Sequence, residues 1–174
     1  MSEIRVDTIS EKTSTSGVTI DSLLIKDGGC AALDAKPAVL VTNSGNQSIA
    51  NATNTLVTFD TETIDTDSAF ASNTFTVPSG EGGMYGIFVR GSMQGIDAGE
   101  FTQIRIYLNG SANSFFENRL TAHDTDVEMK YGGGGFLDLA ATDTIKMYWY
   151  QGSGESQNLS NAALYIYKVQ TGGL

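Results

Sequence analysis

Leu56 to Val89 reads LVTFDTETIDTDSAFASNTFTVPSGEGGMYGIFV. Two short alternating runs, Leu56–Phe59 and Asn73–Val77, flank an acidic loop. A Pro-Ser-Gly-Glu-Gly-Gly turn starts at Pro78, and a third alternating run then sets Tyr85, Ile87 and Val89 on one face. Alternation with a period of two is the mark of a half-buried strand, because successive side chains point to opposite faces. Gly, Pro, Ser and Asn clusters between such runs are turns. The stretch is a series of antiparallel strands.

The same pattern extends in both directions from Pro37 onward. Val39 and Val41 begin the first strand, and Gln47–Ile49 is a short second piece. Met84–Met93 is followed by Gln103–Leu108, with Ile104, Ile106 and Leu108 inward and Arg105 and Tyr107 outward. Asn109-Gly110 then gives a strong hairpin signal. Further strands are Ser114–Leu120, Val127–Lys130 with Phe136–Leu139, Thr144–Gln151 and Leu164–Val169. About ten strands in one domain make a sandwich or a jelly roll. Trp149 alternates with Ile145 and Met147 and is expected in the core.

The order of motifs is similar to the globular heads of the complement C1q and tumour necrosis factor superfamily. Val57-Thr-Phe-Asp60, Asp65-Thr66, Phe75-Thr-Val-Pro78 and Gly83-Met-Tyr85 follow one another as that family's strands do. Leu137-Asp-Leu-Ala-Ala-Thr-Asp143 resembles its Leu-x-Leu-x-x-Gly-Asp turn, and Ala163–Val169 resembles its closing strand. Thr142 departs from the pattern, standing where the family has glycine. So do the four glycines Gly132–Gly135, where relatives carry a patterned strand. The resemblance covers about residues 37–170. It implies an all-β, ten-strand jelly roll that works as a homotrimer and binds other molecules with its outer face. It also places the closing strand on the sheet that meets the trimer mates, which makes Tyr165 and Tyr167 interface residues.

Charge and chemistry narrow the function. The net charge is −10, with twenty Asp+Glu against ten scattered Lys+Arg. A nucleic-acid binder needs a cationic footprint to release counterions from phosphates, and no such cluster is visible. An anionic membrane surface is equally unsuited. No run reaches the ~18 apolar residues of a membrane span, and no secretory h-region is present.

Cys30 is the single cysteine and His123 the single histidine, so a zinc centre or a nucleophile–histidine site lacks its parts. Asp124, Asp126 and Glu128 share one face if that run is a strand, and Asp60, Glu62, Asp65 and Asp67 crowd one loop. Calcium takes six to eight oxygens from such residues, and some heads of this family bind it near the trimer axis. Neither run has the Asp-x-Asp-x-Asp-Gly order, however, and a solvated acidic face is the expectation, with no cofactor. Paired carboxylates for glycoside hydrolysis find no deep-cleft scaffold here. The chain reads as a non-enzyme.

Residues 1–36 differ from the rest. Ile4, Val6 and Ile9, then Val18 and Ile20, alternate around a Ser/Thr/Gly patch, and Asp27-Gly28-Gly29 closes the unit. A segment this short buries no core alone and must lie on a partner or braid with copies of itself. Its wording, IRVDTISEKTSTSGVTIDSLLIKDGG over residues 4–29, resembles a leader found in structural proteins of tailed bacteriophages. The expected organisation is an anchoring leader, 1–36, and a head, 37–174. Ile4, Val6, Ile9, Val18 and Ile20 would attach it to other virion proteins. The expected function is a virion-surface knob or tail fibre, made in the host cytoplasm, that touches a host-surface glycan or protein. Two alternatives stand beside it: a capsid decoration protein with no receptor role, and a bacterial lectin-type module.

Overall fold

The computed structural model describes residues 18–20, 23–26, 29–30 and 37–169. The chain divides into two units, Met1–Ala35 and Lys36–Leu174. In the first, β1 (Val18–Ile20), β2 (Leu23–Lys26) and β3 (Gly29–Cys30) form a three-stranded antiparallel sheet. Val18 and Ile20 lie on β1; Ile4, Val6 and Ile9 lie outside the described residues.

The second unit is an all-β jelly roll. Its strands are β4 (Ala38–Thr42), β5 (Gln47–Ile49), β6 (Thr55–Leu56), β7 (Thr61–Asp65), β8 (Phe70–Ala71), β9 (Thr74–Thr76), β10 (Gly83–Ile96), β11 (Phe101–Leu108), β12 (Ser111–Thr121), β13 (Val127–Leu139), β14 (Thr144–Gly152) and β15 (Gln157–Lys168). Ten of them form two five-strand paths, β13-β10-β15-β4-β7 in the first sheet and β12-β11-β14-β9-β8 in the second. The short β5 and β6 pair off these paths with β15 and β14. All the pairings are antiparallel.

The core fills the space between the sheets. Tyr85, Ile87 and Val89 of β10 meet Val39, Val41, Leu164 and Ile166 of their own sheet and Ile104, Ile106, Ile145, Met147 and Trp149 of the other. Burial alternates along β14 as the sequence requires, with Ile145, Met147 and Trp149 fully enclosed. One buried polar cluster sits among them. The Trp149 indole donates to the Thr102 hydroxyl, Tyr131 donates to the Thr102 carbonyl, and the Leu120 N–H donates to the Tyr131 oxygen at 3.0 Å. Asn109 and Gly110, both left-handed, close the β11–β12 hairpin as expected.

Several boundaries differ from the sequence reading. The acidic loop contains strand β7, whose first four residues are exposed, so it carries no apolar alternation. Leu56–Phe59 is strand only at Thr55–Leu56, although Val57 is buried. Gly132–Gly135 does not interrupt its strand. β13 runs through the glycines because β10 pairs with it residue by residue, from Ile87↔Gly135 to Arg90↔Gly132. Thr142 takes a left-handed backbone, at φ 74°, the conformation that favours glycine.

Candidate assembly face and acidic loops

Each face of the first sheet has its own character. Register puts Phe136, Gly86, Tyr167 and Ala38 in one outward row, and Gly134, Phe88, Tyr165, Leu40 and Ile64 in the next. Phe136 is 56% exposed, Tyr167 42% and Phe88 37%. The Tyr167 ring lies parallel to that of Phe88, with centroids 6.0 Å apart, and Phe136 meets Phe88 edge-on at 6.2 Å. The glycines make this packing possible. A Cβ on Gly86 would stand 2.8 Å from Tyr167 Cζ, and one on Gly134 only 2.4 Å from Phe88 Cδ1. Aromatic rings cover the glycine backbone across the strands, and an apolar plateau results. Toward its far end the plateau turns polar, with Arg90, Ser92 and Lys130.

Tyr165 and Tyr167 therefore both stand on the outward face of this sheet, Tyr165 half-buried and Tyr167 exposed. Sequence reasoning missed Phe88 and Phe136. Phe88 falls at the outward position of an alternating run, which was a usable signal. Phe136 was hidden by the glycines before it.

The acidic residues are used locally. Asp124 accepts the Thr125 N–H at 2.8 Å, and Asp97 accepts the N–H of Asp126, which is left-handed at φ 54°. Strand β13 begins only at Val127, so Asp124 and Asp126 belong to a turn and share no strand face with Glu128. The expected one-face carboxylate set is thus corrected. Glu128 accepts a short hydrogen bond from the Ser92 hydroxyl and pairs with Lys130 at 3.1 Å. Those two partners, Ser92 first, hold its carboxyl below the usual range.

In the other acidic stretch, Asp65 accepts the N–H groups of Ala69 and Phe70 at 2.7 and 3.0 Å, which builds the turn into β8. Asp60 accepts from the Ser44 hydroxyl and N–H at 2.7 and 2.8 Å, and these bonds hold its carboxyl low. Among the described residues, no three of His, Cys, Asp and Glu gather as a metal-binding group. His123 is exposed in the turn before β13.

Two clefts open at the sides of the sandwich. One, about 300 Å³, lies between β7 and β8 and is lined by Phe59, Phe70, Asp60, Glu62 and Asn73. The other, about 270 Å³, lies between the edge strands β12 and β13. Its lining includes Phe116, Tyr131 and the backbone of Gly132–Gly134.

The fold is shared with proteins of very different sequence. The globular domain of zebrafish complement 1qA protein matches with a TM-score of 0.54 at 18% identity, over 78% of this chain and 98% of that one. Eiger TNF from S. frugiperda matches with a TM-score of 0.59 at 11% identity, over 80% of this chain and 96% of that one. At such identities the likeness concerns the fold, a C1q/TNF-type jelly roll. No protein-family model and no curated protein sequence matches the chain.

Proposed function

We propose that the second unit is a non-enzymatic binding head that assembles as a homotrimer. The observation that carries this is the aromatic plateau of Phe88, Phe136 and Tyr167 on a sheet whose opposite face already forms the core. Exposed apolar surface of that kind marks an interaction site, and aromatic residues are typical anchors of one. The plateau and the glycine-edged cleft between β12 and β13 are different surfaces of one molecule. A contact that joins plateau to cleft is heterologous, and heterologous contacts that close make rings. The C1q/TNF type of fold supports three copies. Light scattering on the purified chain should give three times 18.5 kDa. A stable monomer at micromolar concentration rejects the assembly.

The finer reading is a bacteriophage virion protein displayed on the particle surface. The leader, residues 1–36, holds it to other virion proteins, and the head meets a host-surface glycan or protein. Support comes from the wording of residues 4–29 and from a head suited to binding. Antibody against the head should label intact particles. Particles that lack the protein after purification exclude this role.

A further inference from the structure

We infer that the outward face of the second sheet is a binding platform for an acidic polysaccharide. This face is built from β11 and β14, which pair Phe101↔Gly152, Gln103↔Tyr150, Arg105↔Tyr148 and Tyr107↔Lys146. Burial alternates along β14, which turns Lys146, Tyr148 and Tyr150 outward. The register sets Phe101, Arg105 and Tyr107 of β11 on the same face, with Gln103 buried between Phe101 and Arg105. Their rings and cations form one ladder. Arg119 of β12 lies 3.5 Å over the Phe101 ring, and Phe101 stacks on Tyr150 at 5.7 Å. Arg105 covers the other part of Tyr150 at 5.0 Å, and Tyr148 packs on Tyr107 at 4.2 Å.

Three features give this face a ligand chemistry. First, charge is segregated. In a chain of net charge −10, the face carries three cations, Arg105, Arg119 and Lys146, against the one carboxylate of Glu117 among its described residues. Arg105 is tied to Glu117 at 2.9 Å and to Asn54 and Gln103 at 2.6 and 2.8 Å, so it is held in place. Arg119 and Lys146 make no ion pair among the described residues. An anion brought here is drawn to the face and repelled elsewhere. Second, the hydroxyls of Tyr107, Tyr148 and Tyr150 have no hydrogen-bond partner among the described residues, so each is open to a ligand hydroxyl. Tyrosine supplies wide amphipathic contact at low entropy cost, and sugar rings present one apolar and one polar aspect to match. Third, six strand steps of about 3.3 Å from Phe101 to Tyr107 make a platform of about 20 Å, suited to a chain of sugars rather than one.

Cross-strand ring pairs also stabilise a bare sheet face, but that role leaves Arg119 and Lys146 without a counter-charge. Single-stranded nucleic acid also stacks on aromatic and arginine ladders. Its bases need free ring faces, but Phe101 and Tyr150, and Tyr107 and Tyr148, already cover one another, and Arg119 and Arg105 lie over Phe101 and Tyr150. The ladder therefore offers a ligand hydroxyls and cations rather than slots between rings. The inference deepens the reading of the head as a binder and is independent of its trimeric state.

The test uses the full chain with immobilised polygalacturonate, dextran and an oligothymidylate. The expected result is retention on polygalacturonate alone, weakening as salt rises. The Arg119→Ala/Lys146→Ala double variant and Tyr107→Ala should each weaken retention by about tenfold or more, the loss that follows removal of a charge-assisted or stacking contact. Equal retention on dextran, a preference for oligothymidylate, or full binding by folded variants overturns the inference. Should Tyr107→Ala unfold, the double variant decides, since Arg119 is exposed, Lys146 half-buried, and neither belongs to the core. Light scattering on the same samples keeps the outcomes apart: a trimer that binds no polygalacturonate sinks this inference and leaves the assembly standing.

Discussion

Tyr167 lies flat on Phe88 across the β15–β10 pair, with ring planes 4° apart. Both side chains face away from the core, and Tyr167 is 42% exposed. If this stack anchors contact between copies, a charge placed in it is desolvated without a partner, at a cost of several kcal/mol. Tyr167→Asp should convert the trimer to a monomer of 18.5 kDa while leaving a folded head, because the outward position faces no core residue. Light scattering with circular dichroism reads both. A trimer that survives the substitution moves the interface elsewhere.

Thr142 holds a left-handed backbone, φ 74°, in the turn where the Asp143 N–H meets the Ala140 carbonyl at 3.1 Å. A β-branched residue is strained there, at roughly 1–2 kcal/mol, and glycine is not. The side chain of Thr142 is exposed and lies outside the core. Glycine loses more chain entropy on folding, which offsets part of the relief. Thr142→Gly should raise stability by about 0.5–1 kcal/mol, read from the denaturant midpoint at unchanged slope. A lower midpoint means that the turn is not under strain.

Tyr131 is buried, and burial pushes its pKa up to about 12. Tyr85 is buried as well and reaches about 12, from burial first and then the charges of Glu81 and Asp67. In the unfolded chain both titrate near 10. Between about pH 10 and 12 the unfolded state therefore holds fewer protons than the folded one, and stability falls as pH rises. Below pH 10 the contribution is fully present. Tyr131→Phe removes the bonds to the Leu120 N–H and the Thr102 carbonyl, which should cost about 1–3 kcal/mol at neutral pH. Unfolding curves from pH 8 to 12 should then show the deficit of Tyr131→Phe shrinking toward alkaline pH. A constant deficit rules out this titration.

The parts legible from sequence are those where one strand face meets the core. Tyr85, Ile87 and Val89, or Ile145, Met147 and Trp149, reveal their strands because burial imposes alternation. Strand β7 is exposed on four of its five residues, so no pattern marks it. β13 passes through Gly132–Gly135 with no side chains to read, held by pairing with a strand some forty residues earlier. The carboxylates misled for a local reason. Asp126 is left-handed, and that breaks the face on which Asp124 and Glu128 would have met. The aromatic plateau and the ring ladder depend on register between distant strands. Single residues such as Tyr167 and Tyr148 could be flagged from sequence, but their neighbours could not.

The leader and the head should separate. Among the described residues, strands β1–β3 pair with one another in a sheet of three short strands, too little to bury a core. The strands of the head's two sheets lie within residues 37–169, and among the described residues the core is drawn from that range. Deleting residues 1–35 should therefore leave a chain that melts cooperatively and keeps its trimeric mass. Under the proposed reading, in which the leader attaches the head, particles assembled with this truncated chain should lack it. If the truncated chain fails to fold, the leader completes the head, and the division at residue 36 is wrong. If it folds and still decorates particles, the anchor lies in the head. The aromatic plateau of Phe88, Phe136 and Tyr167 then becomes the first surface to test for contact with the virion.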